Sequence, residues 1–365
     1  MMKLNKMDVS TNKFSTYPFH HRSETELEVA LRNGECERWL ANSFSEGHFP
    51  LAFAPLMAHL SGLAYLGQVD HASGLSGCEL ALAEEIGAAA ITRFENRNAE
   101  GYGFVFRGQA FLLFCGTNDM SRDWVHNLLA IRKSHTLHEE PTRDIHMGFA
   151  QHFQLLRPQI DHWLAGLPAV DGFVCTGHSL GGTLAVLMAQ LLGQRQIPVT
   201  GVMTFGAPAV GGRAFNDEYL WHDRTWRVVD FGDPIPKSTP EQVGFKHVGV
   251  SVSSRTCFTD QTQPPSGPKA APSQIGIYPK AVDDFKLGNM LKGNAKKVSE
   301  AVLNMYRARP RHCKVVYRNS MQRMLEENLS HLPDAIIRRH YDTCGMRSVP
   351  LYRGVEHPEE QEFSV

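Results

Sequence analysis

A serine stands between glycines in "GHSLGG", residues 177–182, where the short apolar run "GFVC" gives way to the long helix-forming run "LAVLMAQLL". This is G-x-S-x-G in the setting that gives the pattern meaning, a strand ending before it and a helix starting after it. The physical requirements are separable. Ser179 must stand on a strained, tight turn so that its hydroxyl projects above a sheet, and Gly177 and Gly181 must lack side chains because strand and helix backbones crowd that turn. The helix from Leu180 onward then aims free N–H groups and the positive end of its dipole at any oxyanion formed over Ser179. That is the chemistry of acyl transfer; a plain glycine-rich turn would need only the glycines.

Such a serine needs a general base and a carboxylate to orient it. His178 is adjacent, but neighbouring residues on a turn point to different sides, so it reads as a packing residue. Downstream, "VVDFGDPIP" offers two acids, Asp230 and Asp233, in the Ser, Asp, His chain order of strand-to-helix nucleophile folds. The chain has 18 histidines to choose from. His135 and His138 have a metal-like i, i+3 spacing with His146 close behind, but no acidic or cysteine ligand sits at a suggestive distance, so no zinc site is expected. "GAPAVGG" is not a phosphate-cradling pattern, and no nucleotide or other cofactor is expected.

Several elements must position these groups. Apolar runs around Ile91, Phe104 and Phe111, broken by "NRNAEG" and "RGQ", predict three strands, the last ending near Cys115. Phe149, Phe153, Leu156, Ile160 and Leu164 recur at helical spacing. The strand before Ser179 follows, then the helix after it, then strands in "VTGVMTFGAP", "WRVVD" and "KHVGVSVSS". Strands separated by helices imply an α/β fold with a mainly parallel central sheet covered on both faces. Ser23 and Glu26 form a capping-box pattern for a helix running to about Asn42, and a second helix follows Pro55. This gives a helical N-terminal extension over 1–50, a main domain over 51–345 and a polar tail over 346–365. Within the domain, 258–310 reads as an insertion: a Pro-, Ser- and Gln-rich loop leading into a charged helix over about 281–307.

The 365 residues are 42% hydrophobic with a formal net charge of -1, enough apolar content for a large core and no basic field to attract nucleic acid. Seven dispersed cysteines without a C-x-x-C pair favour a reduced compartment. The first residues lack the apolar run of a secretory signal, so the expected location is cytoplasmic, or outside the cell by a route without such a signal. Residues 50–67 are the most lipid-like run, but Pro55, His59 and Ser61 interrupt it, whereas a span needs about 20 mostly apolar residues; no transmembrane span is expected. The densest basic stretch, "RARPRHCKVVYR" at 307–318, reads as a solvated face or an attraction to anionic headgroups.

From about Leu56 to Cys344 the chain resembles the class 3 lipases, a branch of the α/β-hydrolase fold. The resemblance rests on ordered blocks: "FLLFCGTNDMSRDWVHNLL", "IHMGF", "GHSLGG", "TFGAPAVG", "RVVDFGDPIPK" and "FKHVGV". Cys115 and Asn127 depart from it, standing where the family has Arg and Asp. The resemblance implies a serine carboxylester hydrolase of lipase or phospholipase A type, with Ser179 as nucleophile and Asp233 as acid, since the family's aspartate directly precedes a proline-rich loop. It implies an oxyanion hole from the N–H of Leu180 and from Thr117, and a lid anchored by Trp124 and Leu128. For the base it favours His331, because "HLPDAI" resembles the H-x-x-x-x-[YIL] opening of the family's last helix. His340 in "RRHYD" is the rival, His247, which the family also marks, is expected to be structural, and His312 is among the histidines left open. The implied partner is a lipid ester at a membrane or lipid-aggregate surface. The contrasting expectation is a hydrolase-fold lipid-binding or signalling protein without a working histidine.

Overall fold

Alternation along the strands dictates a sheet buried on both faces. In β3 (Gln109–Phe114), Phe111 and Leu113 point to one side, while Ala110, Leu112 and Phe114 point to the other, and all five are fully buried. The computed structural model describes residues 49–117, 144–230, 232–239, 241, 244–254 and 312–328, with positions 334, 335, 338 and 341. The expected helix from Ser23, the insertion over 258–310 and the tail lie outside these residues.

Besides β3, the main sheet contains β1 (Ala89–Asn96), β2 (Ala99–Phe106), β4 (Gly172–His178), β5 (Val199–Phe205), β7 (Thr225–Val229) and β9 (Val250–Ser253). Their order is β1-β2-β3-β4-β5-β7-β9. The first three form an antiparallel meander, whose short turns suit local pairing, and β3, β4, β5, β7 and β9 run parallel. Residues 211–212 (β6) and 245–246 (β8) pair in a separate two-stranded ribbon.

On one face lies α1 (Ala54–Leu63), with Leu56, Met57 and Leu60 in one core cluster with Phe104, Phe111 and Val174. The helix α6 (Lys314–Asn328) joins the same cluster through Tyr317, Met321, Met324 and Leu325. Between them in sequence come α2 (Gly77–Ala81), capped by a Ser76–Glu79 box, and the π-helical turn that continues it. The opposite face carries α3 (Met147–Gly166) and α4 (Leu180–Gln194). In α3 the expected stripe Phe149, Phe153, Leu156 and Ile160 is buried, each side chain contributing about 1.5–3 kcal/mol by leaving water. A short α5 (Arg213–Glu218) completes this side. Among the described residues, no helix is long and apolar enough to cross a membrane.

One sequence expectation is corrected. "KHVGVSVSS" is not one strand: Phe245 and Lys246 pair with Gly212 and Gly211, a turn follows with Gly249 at φ +68°, and only Val250–Ser253 enters the main sheet. Its alternating apolar residues are shared between two sheets because the left-handed glycine breaks the extended path.

Candidate active site

The carboxyl ends of the parallel strands converge on one region, as ligand sites do in open α/β sheets. Ser179 follows β4, Gly206 follows β5, and Asp230 and Asp233 follow β7.

The turn at Ser179 is built as its glycines require. Ser179 has φ 59° and ψ -129°, a conformation a non-glycine residue holds only when its surroundings enforce it. A side chain on Gly177 would collide with the backbone of Gly181, and one on Gly181 with the carbonyl of Phe114. The main chain is held by Ser179 N–H donating to Phe205 O at 2.9 Å and Gly182 N–H to Ser179 O at 3.0 Å. The helix α4 begins at Leu180 with no side chain capping it. Its first-turn N–H groups and its dipole therefore face the space above the serine. Ser179 Oγ makes no hydrogen bond to another described residue.

Gly116 packs beside Ser179. A methyl group at Gly116 would lie 2.7 Å from His178 O and 3.2 Å from Ser179 Cβ, so Thr117, the next residue, borders the turn. Cys115, where the resemblance led to an arginine being expected, is buried, and burial pushes its thiol up to about 12. It is a small apolar packing residue and no source of charge. Cys78, Cys115, Cys175 and Cys313 all carry free thiols.

On the acid side, Asp233 is fully buried. Its Oδ1 accepts the Ile235 N–H at 2.9 Å, while Oδ2 accepts the hydroxyl of Tyr317 and lies 2.7 Å from His312 Nδ1. A carboxyl group with three donors is fixed in place. Tyr317 also accepts the Asp230 N–H at 3.2 Å. Burial, and then the charge of Asp233, hold its hydroxyl well above the usual tyrosine range, so it remains a donor. Asp230 ties strand ends together: its carboxylate accepts from Ser254 Oγ at 2.9 Å and from the Gly232 N–H at 2.8 Å. The structural role expected for it fits those partners.

His312 stands just before α6, with its side chain 2% exposed. Since the carboxylate accepts at Nδ1, neutral His312 carries its lone pair on Nε2, and that atom is buried without a hydrogen-bond partner. Ser179 is near. The His312 ring lies 4.4 Å, centroid to centroid, from the ring of His178, and a methyl on Gly206 would lie 3.0 Å from His312 Cε1 and 2.6 Å from Asp233 Oδ2.

The structure thus brings Ser179, Leu180, Thr117 and Asp233 to one place. It keeps His247 elsewhere in function: its Nε2 donates to Pro236 O at 2.9 Å, and burial, then the charge of Arg227, push it down to about 3. His331, His340, Trp124 and Leu128 lie outside the described residues. His312, whose segment had been read as a basic face, is the histidine found on Asp233. A signal was available: "HCKVVY" satisfies H-x-x-x-x-[YIL] with Tyr317 at its last position, and its helix follows directly. Among the described residues no cluster of His, Cys, Asp and Glu could hold a metal ion.

Residues 111–243 match the family described as lipase (class 3). A 96-residue stretch is 38% identical to Toxin TseL of Vibrio cholerae, covering 26% of this chain and 14% of that one. A 107-residue stretch is 30% identical to the secreted mono- and diacylglycerol lipase 1 of Fusarium solani, covering 28% of this chain and 32% of that one. The chain spans less than half the length of these curated relatives. Among solved structures, the Lip2 lipase of Yarrowia lipolytica is 22% identical, with a TM-score of 0.43 over 56% of this chain and 79% of that one. The matched segment runs from β3 through the serine turn to the loop of Asp233, so residues 111–243 are similar to the class 3 lipases and lie on a mainly parallel sheet covered on both faces.

Proposed function

We propose that the protein is a serine carboxylester hydrolase acting on lipid esters, with Ser179 as nucleophile, His312 as general base and Asp233 as the carboxylate that orients it. The observation that carries this reading is the buried 2.7 Å pair between His312 and Asp233, beside a serine on a strained strand-to-helix turn. His312 takes the place expected for His331, because a base must meet both the acid and the serine.

In this reading Nε2 of His312 takes the Ser179 proton as Oγ attacks the ester carbonyl. The positive charge then formed on the imidazole is balanced by Asp233, itself held by Tyr317 and the Ile235 N–H. The carbonyl oxygen becomes an oxyanion under the Leu180 N–H and the N–H or hydroxyl of Thr117. As the tetrahedral species collapses, His312 protonates the leaving alcohol and an acyl group remains on Ser179. Water, activated by the same histidine, then releases the acid. Every proton taken is returned, so the reaction balances without a further reactant.

A lipid ester, presented at an aggregate or membrane surface, is the substrate class that fits the family of the matched segment; the Fusarium relative is a mono- and diacylglycerol lipase by name. A fluorophosphonate probe tests the reading, since it labels only an activated serine. Labelling is expected in the wild type and absent in Ser179→Ala and His312→Ala, alongside hydrolysis of acylglycerols, phospholipids and p-nitrophenyl esters. An unlabelled wild type would favour the non-catalytic lipid-binding alternative. Retained labelling in His312→Ala, with loss in His331→Ala or His340→Ala, would overturn the base.

A further inference from the structure

His178 was expected to be a packing residue, yet both its ring nitrogens are engaged and the whole side chain is buried beside the nucleophile. Nε2 lies 2.8 Å from the main-chain carbonyl of His312, and Nδ1 lies 2.7 Å from the Tyr65 hydroxyl. A carbonyl only accepts, so Nε2 carries the proton and Nδ1 receives the tyrosine O–H; the two partners fix one tautomer. The ring also packs against the His312 ring at 4.4 Å with an interplanar angle of 32°. An ordinary buried histidine needs partners somewhere. This one takes as its acceptor the backbone of the residue that pairs with Asp233.

We infer that His178 is a positioning residue: together with Tyr65 it clamps the main chain and ring plane of His312 against the strand that carries Ser179. The inference rests on the reading of His312 as the base. The geometry explains why a second tether is needed. His312 lies two residues before the first residue of α6, ahead of that helix's own hydrogen-bond ladder. Asp233 holds its side chain at Nδ1 but leaves rotation about that bond open. Fixing the carbonyl and stacking the ring removes this freedom and so directs Nε2. Tyr65 is anchored in turn, with Lys314 Nζ 3.9 Å above its ring, so the end of α1 and the start of α6 close on the clamp from the far side. Burial, and then the nearby His312, hold His178 well below the usual histidine range. It therefore stays neutral while its neighbour gains a proton, and the stacked pair is not a pair of cations.

A kcat-against-KM comparison tests this on the full-length protein, using p-nitrophenyl ester hydrolysis, fluorophosphonate labelling rate and thermal unfolding. His178→Phe keeps the ring and removes both nitrogens; it should lower kcat and labelling rate by about 100-fold with KM within about threefold, the scale of a 1 Å misplacement. His178→Gln restores a donor toward the His312 carbonyl and should recover to within about tenfold of wild type. Tyr65→Phe, which deletes one hydroxyl and is the mildest to fold, should lower kcat by about fivefold to tenfold with an unchanged melting temperature range. Equal losses in the Phe and Gln variants at position 178, or an unchanged kcat in Tyr65→Phe, would overturn the clamp. If His178→Phe stays active while His312→Ala is dead, the clamp fails and the base stands. If His312→Ala stays active, the base fails.

Discussion

Ser179 and His312, the proposed nucleophile and base, are held by opposite strategies. The turn at Ser179 is a local device: Gly177, Gly181 and the two elements they join lie within one short stretch, and backbone crowding alone enforces the strained conformation. The base is held from a distance. His312 reaches Asp233 across 79 positions of sequence, and its place depends on Tyr317, Asp233, His178 and Tyr65 satisfying one another in a buried polar cluster. A local device fails by steric collision, which costs stability. A distributed one fails by losing orientation, which costs turnover first. The two halves should therefore respond differently to substitution.

The largest effect should come from removing the groups that exchange the proton. Ser179→Ala and His312→Ala should each cost about 10⁶ in kcat, and the double variant little more, since such residues act as a unit. Additive losses, measured by steady-state hydrolysis, would break the pairing of the two halves. Next, Asp233→Asn keeps the shape but replaces an acceptor with an amide, which no longer selects the Nδ1–H tautomer of His312. A loss of about 10⁴ in kcat is expected with near-normal KM, and a loss below tenfold would sink the assignment of Asp233.

The contrast sharpens on the other side with Gly181→Ala. Its methyl would meet the Phe114 carbonyl and the Cys115 main chain, so the cost should fall on folding, about 3 kcal/mol or more in denaturant unfolding. A variant that unfolds normally but is inactive would show that the glycine serves chemistry alone. The smallest effect is electrostatic. His178 and His247 are both held below the usual histidine range, His247 at about 3, chiefly by burial. The unfolded chain takes up those protons near pH 6.5 and the folded chain does not. Stability should therefore be complete above about pH 6.5 and fall below it, by about 1.4 kcal/mol per pH unit for each histidine. His247→Gln should reduce that slope by one proton in urea titrations between pH 5 and 7, and an identical slope would show that His247 does not contribute.

The same division explains what could be read without coordinates. Apolar runs between turn residues marked β1 to β5, α1 and α4, and helical spacing marked α3, because those elements run through a two-sided core or bury one face and burial shows in the residue types. It misled at "KHVGVSVSS", where apolar alternation crosses from one sheet to another around Gly249. Ser179 was legible since its requirements are contiguous, while the residues alone left Asp230 and Asp233 open and the resemblance pointed to Asp233. The base was not. "HLPDAI" and "HCKVVY" satisfy the same short pattern, and the basic residues around His312 disguised it as a surface.

What the sequence determined by itself is therefore the α/β architecture and the strained turn at Ser179, since both follow from spacing along the chain, whereas the choice of Asp233 over Asp230 came from the resemblance. Tertiary structure alone decided that His312 meets Asp233 and that His178, beside the serine in sequence, bonds to the His312 carbonyl. The physical reason is that a hydrogen bond depends on where two atoms lie in space, and residues far apart in sequence are brought to a 2.7 Å separation only when the sheet and α6 close the buried cluster between them.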